Sequence, residues 1–567
     1  MMGMDLLGRI DRWGEIAPGR PAHRSGGRVL TYGELKARSN AVARYLAARL
    51  PGDRSPVAVL GHKEPEMLAA FLGAVKSGHP YIPLDVSLPP QRVERILAVA
   101  GVRVTLTPAE VARISVPAAE PATGPATGTV AGTLAAASVD APTGASAPAP
   151  VGPDDPYYII FTSGSTGEPK GVVITLGCLE SFCRWMLDEQ RPGGPPLDEQ
   201  RPGGGEVFLN QAPFSFDLSV MDLYLSLATG GTLFSISKDD IEDPRRLFAA
   251  LAASGVTIWV STPSFVQMCL AEKTFAGPML PHVRKFLFCG ETLPPETAAA
   301  LLDRFPRAEV WNTYGPTEAT CATTSVRVDR EILEKYSPLP VGRAKPDTIV
   351  AVLDEDGRPP APGERGEIII AGPNVSPGYL GRPDLTARAF LPWVPARPDL
   401  PLQPPAPAAS VARGTGSGPG CALRAYRTGD WGRYQDGLLF FEGRMDSQVK
   451  MRGYRIELGD VEANLRALPG VRDAVVLPVA KGGRVESLAA FVVLASSGVP
   501  GGQDGQGDAA PAGFDEFTLG RRLRRLLGER LPAYMLPRRF LFRAALPMTP
   551  NGKADRRRLA AELEPGA

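Results

Sequence analysis

The residues best suited to chemistry in this chain form a short loop of glycines and hydroxyl-bearing residues after an apolar run. The run from Tyr158 to Phe161 is typical of a strand, and Pro169 and Lys170 follow the loop. Backbone N–H groups, hydroxyls and one ammonium group can hold a phosphate chain, and glycines allow its close approach. A flexible turn is the alternative interpretation, but the flanking strand, proline and lysine favour phosphate binding. The loop consists of Thr162, Ser163, Gly164, Ser165, Thr166 and Gly167.

Further motifs offer groups suited to a nucleotide. The motif Asn312-Thr-Tyr-Gly-Pro-Thr-Glu318 follows a predicted strand at 309–311, although its centre is also an ordinary turn sequence. The motif Tyr426-Arg-Thr-Gly-Asp430 ends in a carboxylate, which can accept two hydrogen bonds at once from neighbouring hydroxyls. Two more motifs follow, Phe441-Glu-Gly-Arg-Met-Asp446 and, near the carboxyl terminus, Pro550-Asn-Gly-Lys553.

Together these motifs resemble those of the AMP-forming adenylating enzymes, a family that includes acyl-CoA synthetases, luciferases and peptide-synthetase adenylation domains. The resemblance implies ATP and Mg²⁺ as cofactors. It implies that Tyr314 stacks on adenine, that Thr317 contacts phosphate and that Glu318 binds Mg²⁺. It further implies that Asp430 holds the ribose and that Lys553 bridges the substrate carboxylate and the phosphate. The other residues implied to contact the nucleotide are the loop, Lys170, Asn312, Thr313, Gly315, Pro316, Phe441 and Arg444, with Asp446 as the hinge.

The composition agrees with this chemistry. A carboxylate that attacks an α-phosphate is already ionised at neutral pH and needs no general base. The chain has only 4 histidines, and none lies in a recognisable hydrolase motif. The barrier is the approach of two anions, so catalysis would rest on positioning and on charge neutralisation. Transfer to a pantetheine thiol, the second half-reaction, would likewise need no dedicated histidine.

The segment that contains Asp217 points to an amino acid as the substrate. Asp217 lies in Phe214-Ser-Phe-Asp-Leu218, where amino-acid-activating members of the family carry an aspartate. A partly buried carboxylate is a strong partner for an α-ammonium group. Alternatively, Asp217 is the N-cap of a helix that begins there, and both roles can hold at once.

Nearly the whole chain outside its insertions is similar to stand-alone members of the family that activate D-alanine. The similarity lies in segments such as Ser261–Leu270, Phe286–Glu291 and Val375–Gly381. It implies a side-chain pocket with room for little more than a methyl group, although ordinary core packing is the alternative for its cysteines. In one departure, Cys321 stands where such members usually have a β-branched aliphatic residue. The implied pocket residues are Leu218, Met221, Cys289 and Cys321.

The sequence therefore predicts ATP-dependent activation of D-alanine and its transfer to the phosphopantetheine thiol of a discrete carrier protein in trans. One alternative is a stand-alone adenylation enzyme of a natural-product pathway, acting on D-alanine or another small amino acid. A fatty-acyl or aryl-CoA ligase is disfavoured by Asp217 and the small pocket. A nucleotide-binding protein without catalysis is disfavoured because Lys170, Glu318, Asp430 and Lys553 are all present.

Bulk properties set limits on partners and location. Lys+Arg 62 against Asp+Glu 61 leaves a net charge of +1, so no global field favours nucleic acid or an anionic membrane. The sequence contains no run of about 18 apolar residues, so no membrane span is expected. The 6 cysteines show no CxxC pair, which predicts reduced thiols and a cytoplasmic protein.

The chain is expected to be a multi-domain α/β protein because its 567 residues exceed one typical domain. Residues 1–445 are predicted to form a large N-terminal core of sheets covered by helices, with a small β subdomain over 340–391. Residues 446–567 are predicted to form a small α/β lid, mobile by the family resemblance, that carries Lys553. Low-complexity insertions are predicted at about 115–153 and 392–423, with a third spacer at 497–513.

Local patterns predict the positions of several elements in the core. Apolar runs predict strands at 57–60, 81–85, 257–260 and 285–288. Helical spacing predicts a helix over 64–77 and another that ends near Leu50. Strands that alternate with helices between 154 and about 330 predict parallel sheets.

Overall fold

The structure is a computed structural model that describes residues 4–115, 149–164, 168–189, 205–361, 363–393, 423–446, 448–451, 453–481, 484–495, 515–549 and 554–563. Most of the three predicted insertions lies outside the described residues, as do Ser165, Thr166, Gly167 and Lys553.

The described strands and helices alternate along most of the chain. The strands are β1 Pro21–Ser25, β2 Arg28–Thr31, β3 Val57–Gly61, β4 Tyr81–Asp85, β5 Val104–Leu106, β6 Pro156–Thr162, β7 Lys170–Thr175, β8 Val207–Asn210, β9 Thr232–Ser235, β10 Ile258–Ser261, β11 Lys285–Phe288, β12 Glu309–Tyr314, β13 Thr324–Val328, β14 Arg343–Ala344, β15 Ile349–Leu353, β16 Gly366–Ala371, β17 Gly378–Tyr379, β18 Phe390–Trp393, β19 Leu423–Gln435, β20 Leu438–Arg444, β21 Gln448–Met451, β22 Tyr454–Glu457, β23 Val471–Lys481, β24 Arg484–Leu494 and β25 Arg539–Phe542. The helices are α1 Leu6–Ile16, α2 Tyr32–Arg49, α3 Pro65–Lys76, α4 Pro90–Ala100, α5 Pro108–Ser115, α6 Leu176–Glu189, α7 Leu218–Ala228, α8 Lys238–Glu242, α9 Pro244–Ser254, α10 Pro263–Leu270, α11 Pro295–Arg304, α12 Arg330–Lys335, α13 Pro383–Ala389, α14 Leu458–Arg466, α15 Glu516–Gly528 and α16 Arg556–Ala561.

Two large sheets form the N-terminal part of the fold. One has nine strands in the order β14-β13-β12-β11-β10-β8-β9-β1-β2, and the strands from β12 to β1 in that order run parallel. The other has six strands in the order β17-β7-β6-β4-β3-β5, with β7 antiparallel to β6. Their main core contains side chains from both sheets together with α3 and α7, which are buried along their whole length. Helices that are apolar on every face are expected between two sheets.

Two smaller units follow. Strands β15, β16, β19 and β18 form an antiparallel sheet, and β20 pairs with the carboxyl-terminal half of β19. After the short hairpin β21–β22 comes a sheet of β23, β24 and β25, packed against α14 and α15. No helix in the described part of the chain is long and apolar enough to cross a membrane.

The structure confirms the multi-domain α/β class and every element predicted above from local patterns. The β subdomain is larger than predicted because its strands β19 and β20 come after the second insertion, where Leu423 resumes the sheet. The predicted range ended at residue 391 and therefore did not include these two strands. The five described cysteines are free thiols, and Cys421 lies outside the described residues.

A buried histidine in the large sheet makes the fold sensitive to acid. His23 is fully buried, and its Nε2 donates to Ser235 Oγ at 2.9 Å, because the single Ser235 proton goes to Asn210 at 2.8 Å. Burial, with the charges of Lys63 and Arg28, lowers the His23 pKa from 6.5 to about 3. Between these values the unfolded chain binds a proton that the folded chain does not, so stability falls as the pH falls through this window.

We therefore expect the variant His23→Gln to lose less stability than the parent between pH 6.5 and pH 4. The difference should reach about 1–3 kcal/mol, since a tenfold change in a proton-binding constant corresponds to about 1.4 kcal/mol. Thermal unfolding at several pH values measures it, with the exposed His282→Gln as control. Parallel pH curves for parent and His23→Gln would contradict this expectation.

Candidate active site

The two strands that flank the glycine-rich loop in the sequence pair with each other. Strands β6 and β7 pair antiparallel up to Thr162, which lies opposite Lys170. Thr162 and Ser163 line a cleft of about 1290 Å³, a volume that includes the open solvent at its mouth. Gly164 follows them, so the described part of the predicted phosphate loop lies at this cleft.

Glu318 is fully buried at the centre of a charge cluster. The Tyr379 hydroxyl donates to its Oε1 at 2.8 Å, and the Arg455 guanidinium donates to its Oε2 at 2.8 Å. Lys170 Nζ lies 3.6 Å from Oε1. Burial alone would raise the pKa of Glu318, but the charges of Arg455 and Lys170 hold it well below its usual range. Glu318 is therefore an anion that is paired with two cations in this arrangement.

A second cavity of about 440 Å³ adjoins the cleft, and Asn312, Thr313, Tyr314, Gly315 and Phe441 lie along it. The rings of Tyr314 and Phe441 are 5.8 Å apart and tilted by 35°. They form an aromatic wall on which a flat base can stack. Asn312 and Thr313 donate to backbone carbonyls at 2.8 Å, which fixes the strand that presents this wall.

Gly315 is packed so closely that no side chain fits there. A Cβ at this position would lie 2.7 Å from Ala322 Cα and 2.8 Å from the Cys321 carbonyl oxygen. Both atoms are backbone, so the two segments would have to separate.

We expect Gly315→Ala to lower the free energy of unfolding by about 1–3 kcal/mol, the usual effect of overpacking. We also expect weaker nucleotide binding, because Gly315 lies along both cavities. Thermal unfolding and ATP titration measure the two effects. Gly19→Ala is the matched control, since no atom lies within 4 Å of its added Cβ. Equal behaviour of the two variants would contradict the expectation.

Asp430 lines the cleft and is held there by two neighbours. The Tyr314 hydroxyl donates to its Oδ2 at 2.5 Å, and Arg444 donates to its Oδ1 at 2.6 Å. Asp430 and Arg444 are paired across β19 and β20. Arg444 also binds both carboxylate oxygens of Asp446, at 3.0 and 2.6 Å. The predicted hinge residue is thus tied to the predicted ribose site.

Asp217 presents its carboxylate to the cleft. It occupies the N-cap position of α7, yet its side chain makes no capping hydrogen bond, so the alternative role as a side-chain cap is not realised. The Thr317 hydroxyl hydrogen-bonds to it. Burial raises the pKa of Asp217, against the effects of Thr317 and the Lys450 charge. The carboxylate is therefore placed to pair with a cationic group in the cleft.

Three of the four predicted pocket residues lie beside Asp217. Leu218, Cys289 and Cys321 line the cleft. Met221 is fully buried in the main core, and the cleft lining found among the described residues does not include it. Its contact with substrate stays a prediction. Pro316 and Thr317 line the cleft as well.

The hairpin β21–β22, here called the C-terminal hairpin, closes one side of the cleft. Ser163 Oγ donates to the Arg455 carbonyl and accepts from the Glu457 amide, both at 3.1 Å. The Tyr454 ring stacks on Tyr534 with centroids 3.8 Å apart. The predicted phosphate loop and the C-terminal hairpin are therefore in direct contact.

The described residues next to Lys553 in the sequence are found outside the lining of the cleft. Lys553 is outside the described residues, but Ala554 bridges to Met548 and packs with Leu546 and Leu559. Within the described residues of 515–549 and 554–563, the cleft is lined by Pro532, Tyr534 and Met535. The described neighbours of Lys553 thus do not line the cleft in this arrangement.

Sequence reasoning did not single out three residues that the structure brings to the site. Tyr379 and Arg455 hold Glu318, and Lys450 lies along both cavities. Tyr379 lies in Val375–Gly381, one of the segments that carry the family similarity. Lys450 and Arg455 follow the predicted hinge residue Asp446, and the signal available for them was the cluster of basic residues at 450–455, which did not show where this segment would fold.

Two helix-covered sheets, a cleft between their strand ends and a smaller C-terminal part define an adenylate-forming architecture. The chain belongs to the AMP-binding enzyme family: the family model for AMP-binding enzymes matches residues 10–380, and that for the AMP-binding enzyme C-terminal domain matches residues 460–553.

Relatives and solved structures agree with this assignment. D-alanine--D-alanyl carrier protein ligases of Bacillus mycoides (strain KBAB4) and Bacillus cereus (strain ATCC 10987 / NRS 248) are each 43% identical over 99% of this chain and 100% of their own. The solved NRPS protein PA1221, which contains adenylation and PCP domains, has a TM-score of 0.73 at 25% identity over 99% of this chain and 84% of its own. The Vibrio cholerae adenylation domain AlmE, solved with glycyl-adenosine-5'-phosphate, shares the fold, with a TM-score of 0.72 at 19% identity over 99% of this chain and 98% of its own.

Proposed function

We propose that this chain activates D-alanine with ATP to form D-alanyl-AMP and pyrophosphate, and then transfers the D-alanyl group to the phosphopantetheine thiol of a separate carrier protein. The observation that carries this proposal is the uncapped carboxylate of Asp217 in the same cleft as Thr317 and Asp430. The group that pairs with this carboxylate would be an α-ammonium group, and the substrate would therefore be an amino acid. Relatives 43% identical over their full length are named for this ligase reaction.

The nucleotide roles proposed for the chain follow the site geometry. Lys170 and the hairpin loop would hold the phosphates, Asp430 would accept the ribose hydroxyls, and adenine would lie against Tyr314 and Phe441. A carboxylate is the hard oxygen ligand that Mg²⁺ prefers, and Glu318 is ionised, so it fits this ion. In the described residues no group of three or more His, Cys, Asp or Glu side chains could hold a metal, which suits an ion bound mainly by phosphates and water.

For adenylation we propose that the protein aligns two anions and reduces their repulsion. Asp217 would anchor the ammonium group so that the substrate carboxylate faces the α-phosphate. Lys553 would bridge the two anions, and Thr317 would donate to the phosphate. Bound Mg²⁺ would supply further neutralisation of phosphate charge. No proton needs to be removed from the attacking carboxylate.

The observed arrangement suits the step after adenylation. Arg455 fills the space beside Glu318 and pairs with its negative charge. The described neighbours of Lys553 do not line the cleft. We propose that residues 446–567 form a lid that turns about Asp446 relative to residues 1–445, so that Lys553 and the C-terminal hairpin use the cleft in alternation. A rotation of the lid about Asp446 would either break the contact between Arg444 and Asp446 or move both side chains together.

The acceptor we propose is a discrete phosphopantetheinylated carrier protein that meets the enzyme in trans. Because the reaction uses ATP and the five described cysteines are free thiols, we propose that it takes place in the cytoplasm.

The test is amino-acid-dependent ATP–pyrophosphate exchange by the purified full chain, with D-alanine, L-alanine, glycine, D-serine or no amino acid. We expect exchange to be fastest with D-alanine and to be lost in Lys553→Ala. Preference for another small amino acid would move the protein to the natural-product alternative. Exchange with a fatty or aryl acid instead, followed by transfer to coenzyme A, would contradict the amino-acid proposal.

A further inference from the structure

Two thiols meet in the wall of the cleft. Cys289 and Cys321 both line it, and their side chains are hydrogen-bonded to each other. Cys289 Sγ also donates to the Cys321 carbonyl oxygen at 3.5 Å. Of the five described cysteines, these two are the ones that line the cleft. Two thiols that interact in the lining of one cleft are candidates for pairing.

The backbone holds one of the two thiols in an unusual conformation. Thr320 and Cys321 both have positive φ, 57° and 68°, a region that non-glycine residues rarely adopt. The Thr320 hydroxyl is anchored to the Asn374 carbonyl at 2.7 Å, which keeps the turn in place. Two successive residues in this region strain the backbone at this turn. Such strain is typical of functional sites, and here it fixes the Cys321 side chain beside Cys289.

The electrostatic surroundings make the two thiols unequal. The hydrogen bond from Cys321 lowers the pKa of Cys289, with help from Thr313 and the Lys450 charge and against burial. The same hydrogen bond and burial raise the pKa of Cys321. One sulfur is thus the better nucleophile and the other keeps its proton, the division of roles that disulfide formation uses.

We propose that Cys289 and Cys321 are an oxidisable dithiol in the amino-acid pocket, which a hydroperoxide converts reversibly to a disulfide that blocks substrate activation. The block rests on the proposed function, whereas the disulfide does not. The Cys289 thiolate attacks the peroxide oxygen, giving a sulfenic acid and hydroxide or alkoxide. The Cys321 sulfur then attacks the sulfenic sulfur, the S–O bond breaks and water leaves. In total, two thiols and one hydrogen peroxide give one disulfide and two waters.

Disulfide formation changes the pocket where the substrate side chain would lie. The sulfurs move from contact distance to about 2.05 Å, and a soft wall of two thiols becomes one rigid bridge. Conversely, a bound amino acid whose methyl group covers both sulfurs would shield them from the oxidant.

The remaining cysteines are poor candidates for the same chemistry. Cys178, Cys183 and Cys269 are buried and lie away from the cleft. Burial raises the pKa of Cys269 to about 12 and raises those of the other two as well. A thiol that does not line the cleft and whose pKa is raised offers little thiolate for attack on peroxide. Cys421 lies outside the described residues, so Cys421→Ser serves as the background for the experiment.

The experiment treats the full-length Cys421→Ser protein with hydrogen peroxide, alkylates free thiols and maps the peptides by mass spectrometry. We expect one disulfide, between Cys289 and Cys321, and loss of two titratable thiols. We expect D-alanine-dependent exchange to fall at the same rate and to return with dithiothreitol. Saturating D-alanine should slow the modification.

Two isosteric variants separate the dithiol from general oxidation. Cys321→Ser and Cys289→Ser remove one sulfur each, and each is compared with its own untreated activity. We expect Cys289→Ser to be insensitive to peroxide, and we expect Cys321→Ser to stop at the Cys289 sulfenic acid, which dimedone traps and which gives no crosslinked peptide. Absence of the crosslinked peptide from the oxidised parent, or inactivation of Cys289→Ser that matches the parent in rate and reversibility, would overturn the proposal. If the parent shows no exchange with any amino acid, the proposed function fails, while the peptide map still decides the dithiol.

Discussion

Replacing Asp217 with asparagine should abolish D-alanine-dependent ATP–pyrophosphate exchange while the protein stays folded. The carboxylate is the group that would pair with the substrate ammonium, and removing one partner of a buried ion pair costs about 3–5 kcal/mol. That corresponds to a loss of about 10²- to 10³-fold or more in kcat/KM for D-alanine. The stability of the variant should not fall, because Asp217 makes no capping hydrogen bond and burial already disfavours its charge.

Steady-state exchange and thermal unfolding of the same preparations test both halves of this expectation. Asp239→Asn, at an exposed position on α8, is the matched control. The pKa of Asp217 is raised, so the binding-competent anion of the free protein forms at a higher pH than an ordinary aspartate would require. Apparent KM for D-alanine should therefore rise as the pH falls toward that pKa. An Asp217→Asn variant with normal KM would refute the proposed ammonium site.

Most residues that the structure brings together on the proposed nucleotide side of the cleft could be picked out from the sequence because they belong to short contiguous motifs. The loop after Phe161 is one such case, and the Asp430–Arg444 pair is another, since both residues lie on neighbouring strands of one hairpin. In such motifs the local backbone alone brings the functional groups together.

The contacts of Glu318 could not be predicted in the same way. Its partner Arg455 is 137 positions further along the chain, and Tyr379 is 61 positions away. Whether Arg455 reaches Glu318 depends on how the C-terminal part is placed, which no local pattern records. The role of Asp217 as a side-chain cap could not be decided from the sequence either. The sequence is compatible with the cap, but in the structure the side chain interacts with Thr317 and makes no capping hydrogen bond.

An ion pair buried between the two parts of the protein should favour carrier loading over adenylation. Arg92 on α4 and Asp460 on α14 lie 3.3 Å apart, with side chains 7% and 0% exposed. We expect Arg92→Met or Asp460→Asn to slow transfer of the D-alanyl group to the carrier by about 100-fold, because each leaves one buried charge without its partner in this arrangement. ATP–pyrophosphate exchange should be unchanged, because it uses the other proposed arrangement, in which the lid has turned away from this contact.

Single-turnover loading from preformed D-alanyl-AMP, measured beside exchange, separates the two half-reactions. The double variant should lose no more than the worse single variant, since both remove one interaction. Arg330→Met, which breaks the exposed pair with Asp303, is the control for loss of an arginine. Equal slowing of both half-reactions would mean that Arg92 and Asp460 support the fold in general. Slowing of loading alone would show that this pair stabilises the arrangement in which the C-terminal hairpin faces the cleft.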